Sequence, residues 1–127
     1  MASTSKPRIL TFQADGSIAK GKAVKVGHAN GWVAIGAATT DRCIGIAQVT
    51  ASASGKAIEV AIQGGGAKAL AGASIAAGKD VVCNTDGTVV VPTGSLDEMI
   101  GRAIDGGLTN DLIDIEVYYG KALAVES

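Results

Sequence analysis

Ser17-Ile18-Ala19-Lys20-Gly21-Lys22-Ala23-Val24 returns as Ser74-Ile75-Ala76-Ala77-Gly78-Lys79-Asp80-Val81, with six of the eight positions identical. The echo continues in the same order. Asn30-Gly31-Trp32-Val33 is answered by Asp86-Gly87-Thr88-Val89, and Cys43-Ile44-Gly45-Ile46-Ala47 by Met99-Ile100-Gly101-Arg102-Ala103. Ile58-Glu59-Val60-Ala61-Ile62 is answered by Ile115-Glu116-Val117-Tyr118-Tyr119. Four matches at one nearly constant offset describe two tandem copies of a single unit.

The unit is made of strands. Ala23-Val24-Lys25-Val26 and Trp32-Val33-Ala34-Ile35 flank an Asn-Gly pair, the strongest short-range hairpin signal. Ile58, Val60 and Ile62 alternate with Glu59 and Ala61, as on a half-buried strand. In the second copy Val81-Val82-Cys83 and Thr88-Val89-Val90-Val91 enclose Asn84-Thr85-Asp86-Gly87. Ala67 to Ala77 is Ala-rich, but Gly72 interrupts it and its end aligns with the turn before Val24, so no helix is expected there. Ser95-Leu96-Asp97-Glu98 has capping-box spacing and allows one helical turn. Short strands at steady intervals predict an all-β fold, a small barrel or sandwich built from two tandem repeats with an extended N-terminal arm. The polar, Pro7-containing start sets the expected boundaries. Residues 1–14 form a flexible arm and residues 15–127 a single β domain, with repeat one over about 15–66 and repeat two over about 67–121. Residues 122–127 read as a loose end.

Hydrophobic residues make up 47% of the 127-residue chain, yet aromatics only 3%. A core of Ala, Val and Ile offers little burial per residue against chain entropy, which points to self-association or docking on a larger body. The net charge of −1 gives no electrostatic footprint for nucleic acid. No apolar run approaches the roughly 20 residues of a membrane helix, and the start lacks a signal-peptide apolar region, so the expected product is soluble and made in the cytoplasm. Cys43 and Cys83 are the only cysteines and read as small buried hydrophobes, not as a disulfide framework.

Chemical motifs fail on their details. Gly16 to Ala23 has the spacing of a phosphate loop, but Ala23 stands where a Mg²⁺-binding hydroxyl is needed and β-type sequence follows. His28, the only histidine, lies in a predicted hairpin tip. Asp105, Asp111, Asp114 and Glu116 are the densest carboxylates, without a calcium-loop pattern. No catalytic residue, metal or cofactor is therefore expected. Of the aromatics, Tyr119 aligns with Ile62 and is expected in the core, whereas Tyr118 aligns with Ala61 and is the better contact candidate.

The run Cys43 to Ala47, the small-residue loop with Ala51, Ala53 and Gly55, the strand Ile58 to Gly64, and Ile75 to Val81 together resemble the capsid decoration (cement) proteins of tailed bacteriophages, in particular their small Ala/Gly/Val-rich type. The resemblance spans roughly residues 16–120 and implies a non-enzymatic virion protein on the outer capsid surface. It implies the major capsid protein and copies of itself, as a homotrimer, as partners, bridging capsomers and stabilising the shell, with no nucleic-acid or membrane partner. Lys6, Arg8, Ile9, Phe12, Trp32 and Tyr118 are the candidate capsid or subunit interface. The alternative is a β-barrel binding module for a glycan or small ligand, for which four aromatics are a thin supply.

Overall fold

The computed structural model describes residues 8–38, 41–92 and 97–121. They form ten strands: β1 (Ile9–Ala14), β2 (Ala23–Val26), β3 (Trp32–Ile35), β4 (Cys43–Ala47), β5 (Ala57–Ile62), β6 (Gly66–Leu70), β7 (Asp80–Cys83), β8 (Val89–Val90), β9 (Glu98–Ala103) and β10 (Leu112–Lys121). The fold is all-β, and the sequence repeat is a structural repeat. The first five strands close a barrel in the order β1-β3-β2-β4-β5, and the next five form a sheet in the order β6-β10-β9-β7-β8. In the first unit β1 lies parallel to β3 through Ala14↔Val33; in the second the corresponding parallel contact is the single bridge Ala71↔Val89. The loop bridge Ile18↔Ala51 is likewise matched by Ile75↔Gly107.

The first unit begins one strand earlier than the expected start of repeat one near residue 15. Ile9 to Ala14, assigned above to the arm, is a barrel strand antiparallel to β5 from Ile9↔Ala61 to Gln13↔Ala57. Its alternation is weak because Ile9 and Leu10 lie at the barrel mouth. Residues 1–7, which contain Lys6, lie outside the described residues, as do Ser95 and Leu96 of the Ser95–Glu98 segment and residues 122–127; Glu98 itself opens β9. Ala67 to Ala77 is strand and turn, as expected. Both hairpins carry glycine at positive φ, +81° at Gly31 and +82° at Gly87, where a side chain would be strained.

Two apolar clusters hold the fold. Ala14, Ile18, Val24, Val33, Ala47, Ile58 and Val60 fill the first barrel. The second cluster, which includes Val81, Ile100, Ile115 and Val117, also takes in Ala23, Cys43, Ile46 and Ala61 from the outer face of the first. Strand β4 is therefore covered on both faces, which explains why Cys43 to Ala47 is nearly continuous in small apolar residues. Gly45 belongs to that packing. A Cβ there would lie 2.1 Å from the Ala61 carbonyl oxygen, and one on Gly101, its counterpart in β9, 2.3 Å from that of Glu116.

The repeat is not symmetric in what its outer faces do. Ala23, Ile46 and Ala61 are fully buried against the second unit, and their counterparts in the second copy are Asp80, Arg102 and Tyr118. Those three are tied to each other instead. Arg102 Nε lies 3.2 Å from Asp80 Oδ1, the Tyr118 hydroxyl donates to the same oxygen at 2.8 Å, and the guanidinium sits 5.4 Å from the Tyr118 ring centre. A polar cluster thus ends the stack where an apolar face would invite a third unit.

Exchanging the two outer-face residues tests this asymmetry. Ile46→Arg buries a charge without a partner and should cost about 4 kcal/mol, whereas Arg102→Ile should change stability by less than about 1 kcal/mol and raise concentration-dependent association; urea unfolding and sedimentation read the two effects. Gly45→Ala should destabilise by about 2–3 kcal/mol through backbone overlap. Gly16→Ala, with positive φ but nothing within 4 Å, should cost only about 1 kcal/mol in the same assay.

Candidate functional site

The residues able to do chemistry are scattered, and the exposed apolar ones lie on both units, with Ile9 and Leu10 adjacent on β1. His28 Nδ1 lies 2.9 Å from Asp15 Oδ2, at the end of the β2–β3 hairpin, and the histidine ring rests at 4.7 Å and 54° against Trp32. The His28 side chain is 60% exposed, so this pair stands on the surface and not in a water-excluding cleft. Hydrogen bonds from the His28 ring and backbone hold the Asp15 carboxyl below its ordinary pKa. Among the described residues no three His, Cys, Asp or Glu side chains group as metal ligands. Lys22, the lysine of the phosphate-loop spacing, donates to the Asp86 carbonyl at 2.8 Å and so ties the two units together.

Two exposed apolar side chains are neighbours on β1, while Val26 and Leu108 are exposed further still elsewhere. Leu10 is 50% exposed and Ile9 38%, with Phe12 half-buried behind them. Arg8 reaches across the same end of the barrel, its Nη1 3.3 Å from the Gln63 carbonyl. Backbone direction matters more. Arg8 O accepts from Ile62 N and Ala14 N donates to Lys56 O, so even-numbered residues of this strand bond to β5. Gln13 N donates to Gly31 O and Asp15 N to Val33 O, so odd-numbered residues face β3. Pairing with β3 begins only at Gln13↔Trp32. The Ile9 and Thr11 peptide groups therefore point toward an edge that no described strand covers, with the Trp32 hairpin at its far end.

Of the six sequence-derived interface residues, Arg8, Ile9 and Phe12 lie along or just before β1, and Trp32 opens β3 opposite Gln13 at the other end of that strand. Tyr118 does not join them. It lies in the second unit with its hydroxyl spent on Asp80, and burial followed by that hydrogen bond raises its pKa. Tyr119 corrects the sequence reading. It was expected in the core and is 42% exposed. The reason is a register shift in β10: Val117 pairs with Gly101 but Gly120 with Met99, so two tyrosines face one residue and the in–out alternation breaks. The Tyr119 hydroxyl donates to the Ile44 carbonyl, and the ring forms one wall of a cleft of about 370 Å³ between the units, with Arg42, Cys43, Ile44, Glu98 and Met99. Arg42 Nε lies 3.7 Å from Glu98 Oε2 at its rim. Leu10 was missed because one leucine at a strand start carries no periodic signal.

A family model described as phage cement protein matches residues 4–118. The chain belongs to the phage cement protein family. This cement protein is thus a structural protein associated with a phage capsid. No curated protein matches it. Among solved structures it is similar to the head fiber gp8.5 N base of bacteriophage phi29, with a TM-score of 0.71 over 90% of this chain and 96% of that one. Identity there is 16%, so that likeness speaks for the fold of the cement protein alone.

The charged loops of the cement protein define its acid sensitivity. Asp41 accepts from Ala37 N at 2.8 Å and from Lys25 Nζ at 3.0 Å, and chiefly the backbone bond lowers its pKa. Asp86 is lowered the same way, first by the Thr88 hydroxyl at 2.6 Å. A carboxylate with a depressed folded pKa contributes stability that is complete above the unfolded value of about 3.9 and is lost as pH falls through the folded value. The melting temperature should therefore fall below about pH 4, and Asp41→Asn should flatten that decline while lowering the melting temperature at neutral pH. Calorimetry across the acid range measures both.

Proposed function

We propose that the protein binds the outer surface of a phage capsid, contacts the major capsid protein and bridges neighbouring capsomers, so that the shell withstands internal pressure. The chain acts as a homotrimer, is made in the host cytoplasm and engages neither nucleic acid nor membrane. The observation that carries this reading is the uncovered edge of β1, with exposed Ile9 and Leu10 beside it. An uncovered edge takes up a partner strand through main-chain hydrogen bonds, which demand little side-chain specificity. Leu10, Ile9 and the half-buried Phe12 and Trp32 add apolar contact, and Arg8 supplies a cation at the rim. Tyr118, on the other unit with its hydroxyl engaged, would serve only a separate subunit contact. Three copies linked in a trimer convert individually weak contacts into firm attachment by raising effective concentration.

Purified protein added to expanded, undecorated capsids should bind saturably at three-fold positions when imaged, and its mass in solution should be three times that of the chain. Leu10→Glu should weaken attachment about tenfold or more without lowering the melting temperature, since the side chain is half exposed. Absence of binding by the intact protein at any concentration would reject the reading.

A further inference from the structure

The two cysteines come from different units and meet. Cys43 opens β4 and Cys83 closes β7, and neither occupies the other's place in the repeat. Both are free and buried. They converge on Gly36, where a Cβ would lie 2.6 Å from the Cys43 sulfur and 2.4 Å from that of Cys83, which places the sulfurs within about 5 Å of each other. Any side chain at residue 36 would occupy the space between them. The Cys83 thiol donates to the Asn84 carbonyl at 3.0 Å. Cys43 also lines the cleft between the units, and Cys83, fully buried, does not.

We propose that Cys43 and Cys83 are a latent cross-link site, closing to an intramolecular disulfide that ties β4 of the first unit to β7 of the second. The oxidant is a low-molecular-weight disulfide entering by the cleft. Cys43 loses its proton to solvent in the cleft and its thiolate attacks one sulfur of the small disulfide, forming a mixed disulfide and releasing one small thiolate, which takes a proton back from solvent. Cys83 then gives up its proton, its thiolate attacks the Cys43 sulfur, and the mixed disulfide breaks, the second small thiolate leaving with that proton. Two protein thiols are oxidised and one small disulfide is reduced to two thiols. A bond between residues 43 and 83 closes a long loop and restricts the unfolded chain, so the oxidised form is the more stable. The dithiol suits synthesis in a reducing cell and the disulfide a particle released into oxidising surroundings. The chemistry does not depend on the capsid reading.

The test uses the intact folded protein incubated with 2-hydroxyethyl disulfide, then denatured and alkylated. The expected product has lost two hydrogens, carries no alkyl group, joins the peptides holding Cys43 and Cys83 after digestion, and melts at a higher temperature than the reduced protein. Two alkylated cysteines after prolonged incubation, a mixed disulfide that persists, or disulfides found only between chains would each overturn the proposal.

Discussion

The burial of Ala23, Ile46 and Ala61 against the second unit is the contact on which the rest depends. A chain with so few aromatics cannot fill a barrel with large side chains, and a unit of roughly 60 residues has little apolar surface to set against its chain entropy. Packing the outer face of one unit on the other covers β4 on both sides and extends the second cluster across the boundary. Small residues make this possible, because Gly45 and Gly101 let neighbouring backbones approach where a methyl group would overlap a carbonyl oxygen. Main-chain bonds from Ala23 to Gly87 and from Leu70 to Gly21 fix the units in register.

That arrangement divides the surface. The face that docks in the first copy is, in the second, the Asp80–Arg102–Tyr118 cluster, whose members satisfy one another and present charge to solvent. Two units therefore stack and a third does not, and the duplication yields a finite body and not a filament. The carboxyl groups of the Asp80 and Asp41 clusters are engaged within the fold, which leaves little directed polar chemistry on offer. The β1 edge adds uncovered backbone beside exposed apolar side chains, and further apolar side chains are exposed at Val26, Leu108 and Leu112. Membership of the phage cement proteins agrees with such a surface, since attachment to an assembled shell asks for complementary area more than for reactive groups.

The two cysteines show how duplication can create something neither copy held. Each sits where its counterpart in the other repeat is an ordinary apolar residue, and only the docking of the units brings the sulfurs together beside Gly36.

Most of the strands, the hairpins at Asn30-Gly31 and Asp86-Gly87, the twofold repeat and, through its resemblance, the family were legible in the amino-acid sequence. These are local or periodic properties, written in β-branched alternation and in turn residues that accept positive φ. Tertiary structure alone decided that Ile9 to Ala14 closes a barrel, because a strand at a barrel mouth loses its alternation where one face meets water. It alone decided the place of Tyr119, because a bulge in β10 adds one residue against β9 and breaks the in–out count that the repeat implied. It also decided that Ile46 is buried while its counterpart Arg102 is exposed, since which face of a sheet is covered depends on what packs against it, and no window of sequence contains both partners.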